Sequence, residues 1–160
     1  MPSPVNLTYH DKGRTIRFDW QGVKTLAANV VEEIMDKSER SICSPPERVF
    51  ALGKGAMPFA AMIADEGIPV FYAGVRSYSG KEKGELEFYQ PTMPHLDELL
   101  NRRSTLIVDD LWDSGQTFGY AAQRWPEAKR AALLSKKASH GLTYVGLVLP
   151  TDAWIVFPWE

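Results

Sequence analysis

The stretch that decides the fold is residues 105–117, Thr-Leu-Ile-Val-Asp-Asp-Leu-Trp-Asp-Ser-Gly-Gln-Thr. Its first four residues predict a short buried strand, because they are apolar or β-branched and polar residues bound them on both sides. Two adjacent acids, Asp109 and Asp110, follow at once, and a turn of small polar residues over 113–117 then leads into a helix predicted at 118–124. In an open parallel sheet, ligands bind at the carboxyl ends of strands. The order of these elements therefore predicts a ligand site.

The composition of the turn over 113–117 indicates which ligand. Small residues that lead into a helix leave backbone N–H groups without intrahelical partners, and the helix dipole adds positive potential there. The turn is thus suited to a phosphate group. The two carboxylates beside it are suited to a hydrated Mg²⁺ ion or to the hydroxyls of a sugar. One loop therefore predicts a ligand that combines a phosphate, a diol and a metal.

Bulk properties exclude several classes of protein. The chain has 160 residues, 44% of them hydrophobic and 24% charged, with a net charge of −2. This length predicts a single domain, 1–160, and the slight negative charge argues against a nucleic-acid partner. One cysteine, Cys43, excludes an internal disulfide, and no apolar stretch reaches the ~20 residues that span a bilayer. We expect a soluble, cytoplasmic protein without stable membrane insertion.

Hydrophobic periodicity predicts strands alternating with helices, which favours an α/β fold with a mainly parallel sheet. The segment 76–90 is polar and rich in Lys, Gly and Glu, so we expect an exposed mobile loop there. Strands are predicted at 15–20, 49–52, 68–73, 105–108, 131–134 and 144–148, and helices at 23–37, 57–66, 95–101 and 118–124.

The stretch LIVDDLWDSGQT resembles the phosphoribosyl-pyrophosphate (PRPP) signature of the type I phosphoribosyltransferases. The resemblance extends in pieces from about Val49 to Glu160 and is nearest to the 6-oxopurine members, the xanthine-guanine and hypoxanthine enzymes. It implies the type I phosphoribosyltransferase fold, a mainly parallel sheet flanked by helices with a flexible hood loop. It also implies an activity in purine salvage: transfer of the 5-phosphoribosyl group from PRPP to guanine, xanthine or hypoxanthine, giving the nucleoside 5′-monophosphate and pyrophosphate.

The resemblance implies two PRPP-binding loops. The first, Gly53-Lys54-Gly55-Ala56, follows a predicted strand, and glycines there let the backbone approach an anion closely. The bacterial xanthine-guanine enzymes usually have Arg where this chain has Lys54, so a point charge would replace bidentate contact. An ordinary strand-to-helix turn would explain the same residues. The PRPP-binding residues implied are Lys54, Gly55, Asp109, Asp110, Ser114, Gly115, Gln116 and Thr117.

We expect Asp109 and Asp110 to have different roles. Consecutive residues of a strand point to opposite faces, so we expect one carboxylate to face the metal or ribose and the other to bond to neighbouring backbone. The resemblance favours Asp110 as the acid that binds Mg²⁺ and keeps Asp109 and Asp110 both as ribose contacts. A pair of solvated acids at a strand end is the alternative.

The remaining site residues concern the purine base. The resemblance implies that Asp113 accepts the proton that the purine sheds on forming the bond to ribose, although an Asp here could equally cap the helix. It implies that a lysine donates to the 6-oxo group; Lys136 is preferred from its distance to the tail, and Lys137 stays open. Trp154 would stack on the purine, and backbone carbonyls near Trp154 and Ile155 would contact its 2-position. A core or subunit interface would also explain this aromatic tail.

In the hood segment 76–90, the resemblance implies that Tyr78, Lys81 and Lys83 approach the pyrophosphate, while an ordinary surface loop is equally compatible. Two other functions stay open: a non-catalytic PRPP- or nucleotide-sensing regulator of the same fold, and a phosphoribosyltransferase for another base. The aromatic tail also leads us to expect a homodimer or homotetramer.

Overall fold

The computed structural model describes residues 8–10, 15–64, 67–77, 86–89, 95–138 and 141–160. The elements in chain order are β1 (Thr8–His10), β2 (Thr15–Arg17), α1 (Trp20–Glu39), β3 (Arg48–Leu52), α2 (Ala56–Ala64), β4 (Val70–Ser77), β5 (Leu86–Tyr89), α3 (Leu96–Leu100), β6 (Thr105–Trp112), α4 (Gln116–Arg124), β7 (Lys129–Ser135), β8 (Tyr144–Val148) and β9 (Trp154–Val156). None of the helices in these ranges combines the length and apolar character that a membrane crossing requires.

The main sheet has the strand order β5-β4-β3-β6-β7-β8. All its pairs are parallel except the edge pair of β4 and β5. The predicted α/β fold with a mainly parallel sheet is therefore confirmed. From β3 the chain moves outward to β4, whereas from β6 it moves to β7 on the other side. The strand order thus reverses between β3 and β6, which is where open α/β sheets bind ligands.

Two apolar layers enclose the sheet. On one face, α1 and α2 place Leu26, Val30 and Phe59 in a buried cluster with strand residues such as Val108. On the other face, α3 and the end of α4 form a second buried cluster that includes Trp125. Burial on both faces explains why the central strands read as continuous apolar runs in the sequence.

A small second sheet joins the two ends of the chain. In this sheet, β2 lies between β1, which is antiparallel to it, and β9, which is parallel to it. Ile16 of β2 pairs with Ile155 of β9, and both side chains are buried in the larger apolar cluster. The tail is therefore fixed against the body of the domain.

The predicted strand 15–20 is wrong in its second half. The strand ends at Arg17, and α1 begins at Trp20. The reason is Asp19, whose carboxylate accepts a hydrogen bond of 2.7 Å from the N–H of Gly22 and so caps the helix. The alternation of polar and apolar residues continues across a cap that ends the strand.

Two further predictions differ from the structure. The predicted loop 76–90 contains the end of β4 and all of β5, which pair antiparallel with Ser77 opposite Leu86; residues 78–85 and 90 lie outside the described residues. The strand predicted at 105–108 continues to Trp112, because pairing with β7 persists as far as Ser135. Neighbouring strands supply hydrogen bonds in both places, and polarity within one segment does not reveal them.

Close contact between α1 and β8 generates a stability prediction. A Cβ added to Gly146 would lie 2.6 Å from the carbonyl oxygens of both Leu133 and Leu26. We expect Gly146→Ala to lower the free energy of unfolding by about 1–3 kcal/mol, since backbone on both sides would have to shift. Urea denaturation would measure the change.

The matched control is Gly119→Ala in α4, where an added Cβ meets nothing within 4 Å. Alanine favours a helix over glycine by about 0.8–1 kcal/mol, so this variant should keep or gain stability. Equal stability of Gly146→Ala and the wild type would contradict the close approach.

Candidate functional site

Three loops meet at one end of the sheet. Because β3, β6 and β7 are parallel neighbours, the loops that follow them leave from the same edge. These loops are residues 53–55 (the glycine loop), residues 113–117 (the anion turn) and residues 136–143 (the Lys136 connection). The structure therefore brings together the segments in which the sequence placed the PRPP and 6-oxo contacts.

The glycine loop lies directly against one of the acids. Gly53 has a positive φ of 76°, and Lys54 is exposed. A Cβ added to Gly55 would overlap the carboxylate of Asp110. Only glycine fits at position 55 without displacing this acid, which connects the first predicted PRPP loop to the second.

Asp109 and Asp110 lie within β6 and not after it. Oδ1 of Asp109 accepts a hydrogen bond of 2.9 Å from the N–H of Asp110, as expected for the acid that bonds to backbone. Burial raises the pKa of Asp109 well above its usual range, and the negative charge of Asp110 raises it further. Two carboxylates are thus held close together where ionisation is unfavourable, which is an environment that a cation would stabilise.

Burial also raises the pKa of Asp110, although hydrogen bonding partly opposes the rise. The opposing groups include the Asp109 side chain, the N–H of Leu111 and the indole of Trp159. The Trp159 Nε1 atom is buried and makes no hydrogen bond of ordinary geometry within the described residues. It therefore lies near the Asp110 carboxylate without a tight hydrogen bond.

The anion turn differs from the prediction in one respect. Helix α4 begins at Gln116, two residues earlier than predicted, and its N-cap is Gly115, with a φ of 82°. The interpretation of Asp113 as the N-cap is therefore wrong. Ser114 Oγ accepts a hydrogen bond of 3.3 Å from the Gln116 N–H. Thr117 lies in the first helical turn, so the turn and helix start do present backbone N–H groups at one place.

Asp113 pairs instead with Lys136. Its Oδ1 atom lies 3.1 Å from the Lys136 ammonium, whose side chain is only 9% exposed, whereas the Asp113 side chain is 60% exposed. The neighbouring Lys137 is exposed, and its carbonyl accepts a hydrogen bond from Ser135 Oγ. Of the two lysines that the sequence left open, the structure brings Lys136 to Asp113.

The tail places its two predicted residues differently. Trp154 is 68% exposed, while the Ile155 side chain is buried in the core. The Val156 carbonyl accepts from the Phe18 N–H at 2.9 Å, and in a parallel ladder alternate residues bond to the partner strand. The Trp154 carbonyl therefore faces β2, and that of Ile155 faces the open edge of the small sheet. Any contact of Ile155 with a base would use its backbone.

Sequence reasoning missed two aromatic residues. Trp112 lies between the anion turn and the Lys136 connection, and Trp159 lies near Asp110. A bulky aromatic among small residues was a visible signal at position 112, and the Pro-Trp-acid ending contained Trp159 without a role. The hood residues Tyr78, Lys81 and Lys83 lie outside the described residues.

The site combines hard anionic oxygens, two ammonium groups and free backbone donors. The described residues include no group of three or more His, Cys, Asp or Glu side chains placed to hold a metal ion. A cation at the Asp109–Asp110 pair would thus need further oxygen atoms from ligand or water, which is how Mg²⁺ is usually bound beside phosphates. The donor set fits a magnesium ion that arrives with a phosphorylated ligand.

Known proteins resemble this chain in sequence and in fold. No family model matches the chain. A xanthine-guanine phosphoribosyltransferase of Nitratidesulfovibrio vulgaris (strain DP4) is 30% identical over 121 residues, which cover 72% of this chain and 70% of that protein.

Two solved phosphoribosyltransferase structures resemble this chain in fold. A purine phosphoribosyltransferase from Pyrococcus horikoshii Ot3 aligns with a TM-score of 0.68 at 22% identity, covering 91% of this chain and 94% of that chain. A Helicobacter pylori xanthine-guanine-hypoxanthine phosphoribosyltransferase aligns with a TM-score of 0.65 at 19% identity, covering 92% and 94%. Because sequence identity with the curated relative extends over more than two thirds of both proteins, the chain belongs to the xanthine-guanine phosphoribosyltransferase family.

Proposed function

We propose that this phosphoribosyltransferase transfers the 5-phosphoribosyl group from PRPP to a 6-oxopurine, giving a nucleoside 5′-monophosphate and pyrophosphate in purine salvage. The observation that carries the proposal is the contact of 3.1 Å between Lys136 and Asp113 at the entrance of the anion turn. It places a cation and a carboxylate side by side where a purine would meet the ribose.

The class of base follows from Lys136. An ammonium group donates hydrogen bonds and accepts none, so it favours the 6-oxo group of guanine, xanthine or hypoxanthine over the amino group of adenine. The Lys136 N–H donates to the Trp112 carbonyl at 2.9 Å, which fixes the start of the connection. Trp154 offers an exposed ring on which the base would stack, and the Ile155 carbonyl, which faces the open edge of the small sheet, would contact its 2-position.

PRPP would be held at three places. The anion turn supplies backbone N–H groups and hydroxyls from Ser114 and Thr117 for the 5′-phosphate. The glycine loop supplies Lys54 for the pyrophosphate. Asp109 and Asp110 lie between these loops, where they would accept hydrogen bonds from the ribose hydroxyls.

Asp110, assisted by Asp109, would hold Mg²⁺ together with oxygen atoms of PRPP and water. When bound, the ion neutralises the charge that develops on the departing pyrophosphate. Burial of these carboxylates raises the pKa of both, and a bound cation would offset that unfavourable ionisation. The chain's own contribution is to hold the acids against the glycine loop through the close packing of Gly55 and Asp110.

Proton transfer falls to Asp113. The purine loses a proton as its nitrogen bonds to the ribose carbon, and a carboxylate within reach accepts it. The Asp113 side chain is more than half exposed and so is accessible to a base, while its ion pair with Lys136 holds it in place. Lys136 thus orients both the base and the proton acceptor.

We also propose a homodimer or homotetramer. Trp20 is 50% exposed, and its ring centroid lies 5.8 Å from that of Trp159, so α1 and the aromatic tail share an apolar surface. Association would cover part of it.

The proposed activity predicts a simple result with purified protein. With PRPP and Mg²⁺, absorbance assays should show conversion of guanine, xanthine or hypoxanthine and little conversion of adenine. Asp113→Asn should bind PRPP normally but lower kcat by about 10²- to 10⁴-fold, the usual contribution of a positioned proton acceptor.

Asp36→Asn is the control, because Asp36 is half exposed and pairs with Arg40 within α1 rather than with a residue of the three loops. Full kcat of Asp113→Asn would exclude the proton-acceptor role. Binding of PRPP without conversion of any base by the wild type would favour a sensing regulator, and preference for adenine or a pyrimidine would favour the enzyme for another base.

The two lysines provide a matched pair of variants. Lys136→Met removes a buried donor to the 6-oxo group, so we expect kcat/KM for guanine to fall by about 10- to 100-fold. Lys137→Met removes an exposed charge and should change kcat/KM by about twofold at most. A larger loss in Lys137→Met than in Lys136→Met would reverse the assignment of the purine contact.

The raised pKa of Asp109 predicts that the free energy of unfolding depends on pH. Its folded-state pKa is raised, so the folded protein binds this proton more tightly than the unfolded chain does. The stability it contributes is therefore complete below the ordinary carboxyl pKa of about 3.9 and is lost as the pH rises through the raised value. Asp109→Asn avoids this loss and keeps an acceptor for the Asp110 N–H, so it should be more stable than the wild type at about pH 7.5, with a difference that shrinks towards about pH 4.

Asp97→Asn is a control for which we expect the opposite pH dependence of stability. The hydrogen bond from Arg124 lowers the pKa of Asp97, so this carboxylate stabilises the fold at neutral pH and stops doing so as the pH falls. Thermal denaturation across this pH range measures both variants. Lower stability of Asp109→Asn at neutral pH would show that ionised Asp109 is not unfavourable in the ligand-free protein.

A further inference from the structure

Trp112 contacts two of the three loops at the sheet edge, the anion turn and the Lys136 connection. Its indole is half-buried and stacks on Phe118 of α4, with ring centroids 5.2 Å apart and planes inclined by 13°. A Cβ added to Gly115 would lie 2.9 Å from the Nε1, Cε2 and Cζ2 atoms of this indole. The anion turn therefore rests on the Trp112 ring with no space for a side chain between them.

The far edge of the same ring reaches the Lys136 connection. A Cβ added to Gly141 would lie 3.0 Å from Trp112 Cη2. The backbone of Trp112 contacts the other end of this connection, because its carbonyl accepts the 2.9 Å hydrogen bond from the Lys136 N–H. Trp112 thus contacts the connection at its first residue, Lys136, and again at Gly141.

The connection is short for one that joins parallel strands. It joins the parallel strands β7 and β8 through residues 136–143, whereas parallel strands are usually joined by a dozen or more residues that include a helix. Among its described residues, Gly141 also accepts a hydrogen bond of 2.8 Å from Arg130 Nε. The ring of Trp112 and the guanidinium of Arg130 therefore both contact the connection at Gly141.

We propose that Trp112 is a positioning residue that sets the separation between the 5′-phosphate site in the anion turn and the purine site at Lys136. The proposal rests on the proposed function and adds to it the residue that couples its two subsites. A misplacement of about 1 Å between bound reactants can reduce turnover about 100-fold, so the thickness of one indole is sufficient to matter.

Trp112→Phe tests the two contacts separately. A phenyl ring can still stack on Phe118 beneath Gly115, but it is too short to reach Gly141. We expect the KM for guanine to rise by about 10-fold and kcat to fall by about as much, while the KM for PRPP changes by less than about threefold. Trp112→Leu removes both contacts and should raise the KM for PRPP as well.

Trp125→Phe is the matched control. Trp125 is a buried indole at the other end of α4, and its Nε1 donates to Asp97 at 2.9 Å. It should lose at least as much stability as Trp112→Phe, with KM values near those of the wild type. Urea denaturation of each variant, measured beside the kinetics, separates loss of folding from loss of positioning.

Two outcomes would overturn the positioning role: unchanged kinetics in Trp112→Phe and Trp112→Leu, or an equal rise of KM for guanine in Trp125→Phe. If Trp112→Leu does not fold, the Phe variants alone decide. Failure of the proposed function would appear differently, as a wild-type protein that converts none of the purines. In that case, calorimetric titration of ribose 5-phosphate would test the contact with the anion turn directly, and equal affinities of Trp112→Leu and the wild type would again contradict the proposal.

Discussion

The parallel pairing of β6 with β7 is the constraint on which the site depends. It continues to Trp112 opposite Ser135, so both strands end at the same level of the sheet. The residues that follow, Asp113 and Lys136, are therefore neighbours at the sheet edge, and the Asp113 Oδ1 and Lys136 Nζ atoms lie 3.1 Å apart. Water screens this pair on the exposed Asp113 side, so the rigid sheet is the better explanation for this geometry. The strand register therefore determines how the functional groups at the sheet edge are positioned relative to each other.

This dependence explains which parts of the structure could be predicted from the sequence. The buried strand, the acids and the small-residue turn were visible because each is a local pattern, and so was the alternation of strands with helices that gave the fold class. The length of β6 was not visible, because Asp109 and Asp110 look like the end of a strand when read alone. Only the neighbouring strand, with Ala132 opposite Asp109, shows that the ladder continues. The residue types at 109 and 110 suggest that the strand ends there, but pairing with β7 determines where β6 ends.

The same distinction between local patterns and long-range contacts applies to the site. The loops that contain the candidate residues were predicted from the sequence and from a family resemblance, whereas contacts between loops were not. The fit of Gly55 against Asp110, the choice between Lys136 and Lys137, and the position of Trp112 each involve residues far apart in the chain. Spacing within one segment carries no information about such contacts. Helix capping shows a smaller failure of the same kind, since Asp113 had the right residue type for a cap but Gly115 occupies that position.

Asp109 and Asp110 show a place where the requirements of function oppose those of stability. Two adjacent carboxylates within a sheet, both with a raised pKa, oppose folding at neutral pH, and among the described residues no positively charged side chain forms an ion pair with them. A sequence selected for stability alone would replace one of them by a neutral residue of similar size. Their presence makes sense if a ligand supplies the missing positive charge, because a ligand that binds only the folded state stabilises it in proportion to its affinity. The unfavourable electrostatics of the ligand-free sheet edge and the proposed binding of PRPP with Mg²⁺ are then two aspects of one arrangement, in which the large apolar core tolerates a local cost that the substrate removes.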